Sequence, residues 1–337
     1  MSIQTLADSL GLSISTVSRA LNGYTDVSAK TRLRVQEAAV AIGYQPDPIA
    51  HRLATGRTGA VAMVSSARAG NYLDATFAAL LSGMSQVMRE KRYFTMSIGL
   101  PMGDDEMPEF ERFLAARLVD GVVLTRPRTK DPRVALLQDK RIPFITYGRT
   151  TDNIPHAWVA SDSAGAIEAA TRKLLELGHT KIAFINGMPT MTFAVLSEMG
   201  FREAMLRAGL RPDTYAVQYT DLSAEAGAAA AVQCMALDNP PSAIICVTDT
   251  LAFGAMLAIR DAGKVVGVDV ALVGYGNTNA CKYVVPPLAT IDHDNVGNGR
   301  HLAEHLLGLI AGEPVADHQI TEPARLVLRA SIGGVIL

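Results

Sequence analysis

From residue 59 onward, the chain alternates short apolar runs with longer amphipathic stretches that are rich in Ala and Leu. Runs such as GAVAMVS, DGVVLTR and AIICVTD are typical of strands that are buried on both faces of a sheet. Strands that alternate with helices form parallel sheets covered by those helices. About ten such runs are too many for one comfortable sheet. The sequence therefore predicts an α/β core of two doubly wound parallel-sheet subdomains.

The first 45 residues have a different pattern, which predicts an all-α helix-turn-helix head. Leu6 and Leu10 lie at helical spacing, and Gly11 follows where the first helix must end. Ser13 is placed to cap a second helix with its hydroxyl, and Val17 falls on the apolar face of that helix. Two short helices around a tight turn are expected.

The outward face of the second helix carries short polar groups, one Arg and one exposed Ile. It lacks the Glu and Lys that usually solvate a helix. Such a face, formed by Ile14, Ser15, Ser18, Arg19 and Asn22, suits a helix that lies in the major groove of DNA. The alternative is an ordinary αα-hairpin that only packs.

The segment that follows favours the DNA-binding interpretation. VSAKTR at 27–32 predicts a third helix, over about 29–42, that opens with basic side chains suited to phosphate contact. Residues 1–57 carry six basic and four acidic side chains, whereas the whole chain has a formal net charge of −2. Pro46 and Pro48 then punctuate a linker, and the helical segment at 49–54 is too short to be stable alone.

These motifs together resemble the DNA-binding head and hinge of the lactose-repressor (LacI/GalR) family. TVSRALN, VSAKTR and IGYQPDPIAHRLATGRTG occur in the order and spacing of that family. The resemblance implies a sequence-specific transcriptional regulator, expected to be a repressor, that binds a palindromic operator as a homodimer. Base readout is expected from Ile14, Ser15 and Arg19. The full set of expected head contacts is Ile14, Ser15, Thr16, Ser18, Arg19, Asn22 and Lys30.

By the same resemblance, residues 46–58 form a hinge whose short helix orders when two copies meet on the operator. Leu53 is then an apolar wedge inserted at a minor-groove base step. The alternative is that Leu53 packs against the core domain.

The remainder, 59–337, resembles the effector-binding and dimerisation core of the family, which is similar to periplasmic sugar-binding proteins. The topology of that core implies that the chain crosses between subdomains near 158, 288 and 320. Subdomain one is therefore expected at about 59–158 plus 289–319. Subdomain two is expected at about 159–288 plus 320–337.

A ligand cleft is expected between the two subdomains, because ligands bind beyond the carboxyl ends of strands in open α/β sheets. An aromatic face with Arg, Asp and Asn suits a polyhydroxylated ring, whose flat side stacks while its hydroxyls receive charge-assisted bonds. By position in the sequence and by resemblance, the expected effector-binding residues are Asp74, Phe77, Arg149, Phe193, Asp249 and Asn277.

Several of these positions have alternative interpretations. Asp249 would also serve as a helix cap, Phe77 as a core residue, and Arg149 as the partner of a nearby carboxylate. Ser197 stands where many relatives carry an Arg, and Gly276 replaces an acid that is common in the family. The effector is expected to be a saccharide, with a purine or nucleoside as the second choice because Phe77 and Phe193 would also suit a flat base.

Catalysis is poorly supported by the sequence. HLAEH at 301–305 spells an inverted zinc-protease pattern with both His on one helix face, but it lies in an Ala- and Leu-rich helix that the family uses for packing. Nucleotide-binding and serine-hydrolase motifs do not occur. We therefore expect no enzyme activity, no cofactor and no metal.

The remaining alternative is a solute-binding receptor without a transcriptional role. The N-terminus shows no basic-then-apolar export signal, which argues against such a receptor. No apolar run approaches membrane-spanning length. Cys234, Cys246 and Cys281 lack metal-binding spacing and are expected to be reduced, buried thiols. A cytoplasmic protein is expected.

Overall fold

The computed structural model describes residues 2–21, 24, 26–44, 56–67, 74–152, 154–211 and 216–333. The chain divides into two compact units. The small unit extends to Ala60 and includes Leu118–Asp120, and the large unit contains the remaining residues. Each unit is described separately below.

The small unit contains three helices, α1 (Ile3–Leu10), α2 (Ile14–Leu21) and α3 (Ala29–Ala41). The predicted caps are confirmed. Gly11 ends α1 with a φ of 65°, and the Ser13 hydroxyl accepts a hydrogen bond of 3.1 Å from the Thr16 amide at the start of α2. The three apolar faces converge on one buried core, formed by Leu6, Ala7, Val17, Ala20, Val35 and Ala39.

The large unit contains two six-stranded sheets within its described residues, as the sequence predicts. The strands of the first sheet are β1 (Ala60–Ala67), β2 (Phe94–Pro101), β3 (Gly121–Thr125), β4 (Phe144–Tyr147), β5 (Ala157–Ser161) and β11 (Gln319–Glu322). Their order is β11-β5-β4-β3-β1-β2, and the pairs from β1 through β3, β4 and β5 to β11 are parallel. Its helices are α4 (Ala75–Glu90), α5 (Glu106–Ala115), α6 (Pro132–Asp139) and α11 (Asn295–Ala311).

The second sheet repeats this architecture. Its strands are β6 (Ile182–Gly187), β7 (Val217–Thr220), β8 (Ala243–Cys246), β9 (Ala271–Tyr275), β10 (Ala289–Asp292) and β12 (Arg325–Val327). Their order is β12-β10-β9-β8-β6-β7, with only the β10–β12 pair antiparallel among the described pairs. Its helices are α7 (Ser163–Glu176), α8 (Thr192–Arg207), α9 (Ala224–Met235) and α10 (Asp249–Asp261). Each sheet has its own buried apolar core.

The chain crosses between the subdomains a few residues later than the expected boundaries at 158, 288 and 320. β5 lies in the first sheet and β10 in the second, while β11 still belongs to the first. The crossings therefore follow Ser161, Asp292 and Glu322. The expected boundaries were wrong because a sequence shows where a strand lies, whereas sheet membership depends on partners that are distant in the chain.

Helices α4 and α11 approach each other closely through two glycines. A Cβ atom at Gly83 would lie 1.9 Å from the carbonyl oxygen of Val296, and one at Gly299 would lie 2.1 Å from that of Leu80. The helix pair therefore tolerates no side chain at either position. This contact joins the middle of α4 to the beginning of α11.

Two expectations concern the chain as a whole. The three cysteines are buried free thiols, as predicted. Across the described residues, no helix combines the length and the apolar character that crossing a membrane requires.

Candidate DNA-binding surface and ligand cleft

The structure places the predicted recognition residues of α2 on the surface of the small unit. Val17 is fully buried, while Ile14 is 42% exposed although it is apolar. Ser15 and Arg19 are exposed beside it, and Thr16 is half-buried. An apolar side chain left in solvent among short hydroxyls is suited to a thymine methyl group in the major groove.

Arg19 has a partner that the sequence did not indicate. Its Nη1 forms an ion pair of 2.9 Å with Asp26, and both side chains are about half-exposed. Exposed pairs of this kind contribute at most about 1 kcal/mol. The pair therefore orients the guanidinium without preventing it from exchanging Asp26 for a base edge.

The beginning of α3 combines a capped helix end with basic side chains. The Ser28 hydroxyl accepts from the Thr31 amide at 3.2 Å, and Lys30 is exposed. Arg32, by contrast, donates to the carbonyl oxygen of Tyr24 at 2.8 Å and braces the chain between α2 and α3. Lys30 is thus the better candidate for phosphate contact.

Ser18 is half-buried on α2. Asn22 and Leu53, the other two predicted DNA contacts, lie outside the described residues, as does most of the predicted hinge at 46–58.

The large unit contains a cleft between its two subdomains, at the carboxyl ends of strands from both sheets. The cleft has about 950 Å³ of empty space. Apolar side chains form much of its wall, namely Phe77, Leu80, Pro127, Phe193, Leu196, Leu222 and Val247. A cleft with an apolar wall and a few polar groups is typical of small-molecule sites.

Four of the six predicted effector-binding residues line this cleft: Asp74, Phe77, Arg149 and Phe193. Asp74 caps α4 by accepting from the Phe77 amide at 2.8 Å, and it forms an ion pair with Arg126. Phe77 is only 4% exposed and, besides lining the cleft, packs in the core of the first subdomain. Arg149 is exposed and has no hydrogen-bond or ion-pair partner among the described residues.

The structure does not bring Asp249 and Asn277 into the cleft lining. Asp249 is 1% exposed, and its carboxylate accepts from the Thr290 hydroxyl at 2.5 Å and the Thr278 amide at 2.8 Å. The residue that caps α10 and lines the cleft is its neighbour Thr248. The amide oxygen of Asn277 accepts from Arg329 at 2.6 Å. Both predicted contacts are internal hydrogen-bonding groups here.

The floor of the cleft contains a polar network that the sequence did not reveal. The Tyr147 hydroxyl lies 3.0 Å from Nδ1 of His293 and donates to the amide oxygen of Asn295 at 3.1 Å. Ser161 lies 3.0 Å from the same Nδ1 atom. These groups follow or end β4, β5 and β10, so the strand-end rule that selected Arg149 would also have selected them.

Burial controls the ionisation of this floor. It raises the pKa of Tyr147, and it raises that of Tyr275, which also lines the cleft, to about 12. Burial lowers the pKa of His293 to about 4, against the opposing charges of Asp292 and Asp294. These groups are therefore uncharged near neutral pH and act as neutral hydrogen-bonding groups.

Two hydroxyls in the cleft wall have no hydrogen-bond partner among the residues that the structure describes. Thr192 and Ser197 lie at the beginning of α8, each is 1% exposed, and neither side-chain oxygen is satisfied. A buried hydroxyl without a partner costs about 1–3 kcal/mol. Because both residues line the cleft, a bound ligand is in a position to supply the missing hydrogen bonds.

Backbone hydrogen bonds join the two subdomains at one lip of the cleft. The Thr129 amide donates to the carbonyl oxygen of Thr190 at 2.9 Å, and the Thr192 amide donates to that of Pro127 at 3.2 Å. Behind this lip, Arg128 pairs with the buried Glu106. The lip is therefore held from both subdomains.

The histidines of the zinc-protease-like pattern have local partners. His301 lies 3.1 Å from Glu322, and Nδ1 of His305 lies 2.7 Å from Nδ1 of His318. Across the described residues, no group of three or more His, Cys, Asp or Glu side chains is arranged to hold a metal ion.

Comparison with known proteins adds two family matches. A family model described as bacterial regulatory proteins, lacI family, matches residues 2–47, and one described as a periplasmic binding protein-like domain matches residues 171–332.

Relatives match over nearly their whole length. The HTH-type transcriptional regulator AglR of Rhizobium meliloti is 34% identical, with 99% of this chain and 94% of that protein covered. The HTH-type transcriptional regulator CelR of Thermobifida fusca is 32% identical, with 98% and 96% covered.

Solved structures show the same fold. The lac repressor dimer bound to operator and the anti-inducer ONPF superposes with a TM-score of 0.82 at 25% identity, over 99% of each chain. A CelR–cellobiose complex superposes with a TM-score of 0.75 at 28% identity, over 98% of this chain and 99% of the other.

Proposed function

Because the chain belongs to the LacI family of bacterial transcriptional regulators, we propose that it is an operator-binding repressor controlled by a saccharide in the cleft. The single observation that carries the DNA-binding part is the face of α2. It exposes Ile14, Ser15 and Arg19 on the side opposite the buried Val17 and Ala20. This combination of an apolar group, a short hydroxyl and a guanidinium matches the groups that base edges present in the major groove.

A homodimer supplies the symmetry that a palindromic operator requires, with one α2 for each half-site. Strongly exposed apolar side chains in the large unit offer surface for self-association. They are Val265, Val268, Tyr283 and Val285. The proposed site of action is the cytoplasm, where the operator is, and the proposed role is regulatory, without catalysis.

The saccharide assignment rests on the chemistry of the cleft. Phe77 and Phe193 provide apolar surface for the flat face of a sugar ring. Arg149 and the unpartnered hydroxyls of Thr192 and Ser197 provide hydrogen bonds for its hydroxyl groups. The uncharged floor fits a neutral ligand, and the relative CelR has been solved with cellobiose.

A nucleoside is the second candidate, favoured by the same two Phe side chains. Relatives at 26–27% identity include the HTH-type transcriptional repressors CytR and PurR. Thermal-shift measurements against saccharides and nucleosides separate the two. A ligand at 100 times its dissociation constant should stabilise the protein by about 2.7 kcal/mol.

Fluorescence anisotropy with DNA from the upstream region of the gene tests the regulator assignment. Arg19→Ala should weaken specific binding by about 1–3 kcal/mol and relax sequence preference at one position of each half-site. Arg172→Ala, which removes a similarly exposed guanidinium from α7 of the large unit, should leave binding unchanged. If both variants lost the same amount of DNA affinity, the loss would reflect only the removal of a positive charge. The proposal that α2 reads the bases would then be wrong.

A further inference from the structure

A second pocket lies beside the cleft, and Arg149 lines both cavities. The second pocket has about 620 Å³ of empty space. It lies between the connection that follows β4 and the strands β5 and β11. The lining residues that matter below are Arg149, Thr150, Asp152, Trp158 and Gln319.

The two cavities follow one another along the same strand. Trp158 of β5 lines the second pocket, and Ala160 of β5 lines the cleft. Residues two apart on a strand point to the same face and are separated by about 7 Å. That separation is comparable with the length of one pyranose unit. A ligand of two sugar rings therefore has the length to extend from the cleft, past Arg149, to Trp158.

Trp158 offers an aromatic surface to the second pocket. It is the only Trp in the 337 residues, and it is half-buried. Within the described ranges, its ring stacks on no other ring and its indole N–H has no hydrogen-bond partner. The neighbouring Arg149 guanidinium is equally without a partner in the described part of the chain.

Polar side chains line the second pocket together with Trp158. The Asp152 carboxylate accepts from the Thr150 hydroxyl at 2.5 Å and retains further acceptor sites. The Gln319 amide nitrogen donates to the carbonyl oxygen of His156 at 3.0 Å. An aromatic face flanked by a carboxylate, an amide and a guanidinium is the chemistry that binds one sugar ring.

We propose that the effector is a saccharide of at least two units, with one unit in the cleft and the next stacked on Trp158 in the second pocket. This inference rests on the proposed saccharide response and adds the length of the ligand. Arg149 lies at the junction and contacts both units.

The single Trp makes the test direct, because the Trp emission of the folded full-length protein comes from the second pocket. Calorimetry measures binding of glucose, cellobiose, maltose and sucrose, and Trp emission is recorded in parallel. At least one disaccharide should bind about tenfold more tightly than glucose and change the emission. Glucose should leave the emission unchanged at saturation.

Two variants locate the effect. Trp158→Leu should reduce the affinity for that disaccharide about tenfold while glucose affinity stays the same, and Trp158→Phe should retain most of the disaccharide affinity. Asp152→Asn, which leaves the ring in place, should also weaken the disaccharide selectively. Thermal unfolding and DNA binding of each variant show that the chain has folded.

The outcomes separate the two proposals. If glucose binds but no disaccharide binds more tightly, or if disaccharide binding leaves the Trp emission unchanged, the second pocket is not a subsite. Equal loss of glucose and disaccharide affinity in a folded Trp158→Leu protein overturns the inference in the same way. If none of the four sugars binds, the saccharide response itself is wrong.

Discussion

Acidification should destabilise the large unit through His293, and the geometry gives the reason. Nε2 of this ring lies 3.2 Å from the side-chain amide nitrogen of Asn295, whose amide oxygen already accepts from the Tyr147 hydroxyl. Nε2 is therefore an acceptor, and the proton belongs on Nδ1, facing the oxygens of Tyr147 and Ser161. A second proton, on Nε2, would place an N–H donor of His293 opposite the N–H donor of the Asn295 side chain. The folded state consequently favours the neutral ring.

The size of this loss of stability follows from the pKa values of His293 in the unfolded and the folded protein. Burial lowers the pKa of His293 from 6.5 to about 4 in the folded protein. Below pH 6.5 the His293 side chain binds a proton in the unfolded chain but not in the folded chain. Its contribution to the free energy of unfolding is therefore fully present above pH 6.5 and is lost as the pH falls toward 4. Between about pH 7.5 and about pH 5, linkage gives a loss of about 2 kcal/mol from this residue.

Urea unfolding of the full-length protein at those two pH values measures the loss, and the fluorescence of Trp158 reports on the large unit. His293→Gln is the matched variant, because Gln retains donor and acceptor groups but cannot take up a proton. Burial also lowers the pKa of His179 and His305, whose contributions are common to both proteins. The wild type should lose about 2 kcal/mol more than the variant. An equal loss in the two proteins would refute the reasoning.

Two further substitutions test the packing and the cleft. Gly83→Ala should reduce the free energy of unfolding by about 1–3 kcal/mol, because its Cβ would collide with α11, while the exposed Ser82→Ala on the same helix should have little effect. Thr192→Val removes a buried hydroxyl without a partner, so it should stabilise the ligand-free protein by about 1 kcal/mol in urea unfolding. The same change should weaken saccharide binding, because the ligand loses a hydrogen-bond partner. Thr171→Val, whose hydroxyl donates to Ile167 at 2.7 Å, should instead destabilise the protein.

The parts of the fold that the sequence predicted are those that local chemistry determines. The turn at Gly11 and the caps at Ser13 and Ser28 depend on side chains within three residues, and all three are present as expected. The alternation of strands and helices in the sequence likewise predicted the two sheets. The crossing points were misplaced because pairing of β5 with β11 joins residues that are some 160 positions apart in the chain.

The rule that ligand-binding residues follow the carboxyl ends of strands predicts only part of the cleft lining. The rule brought Arg149 to the cavity, but at the end of β8 it selected Asp249 where the structure exposes Thr248. Successive residues at such a junction point in different directions. The carboxylate of Asp249 faces Gly274, where an added Cβ would lie 2.4 Å from its Oδ1 atom. That contact joins β9 to α10 and has no local signature in the sequence.

The energies at the lip of the cleft indicate how a small ligand would act as a switch. Two backbone hydrogen bonds cross between the subdomains there, from Thr129 to Thr190 and from Thr192 to Pro127. Each contributes about 0.5–1.5 kcal/mol net, so together they are worth about 1–3 kcal/mol. Allosteric coupling energies fall in the same range of about 1–3 kcal/mol. A saccharide that bonds to the Thr192 hydroxyl lies directly beside one of these bonds. Strengthening or breaking that pair of contacts is therefore enough to shift the balance between subdomain arrangements, without any larger rearrangement of either core.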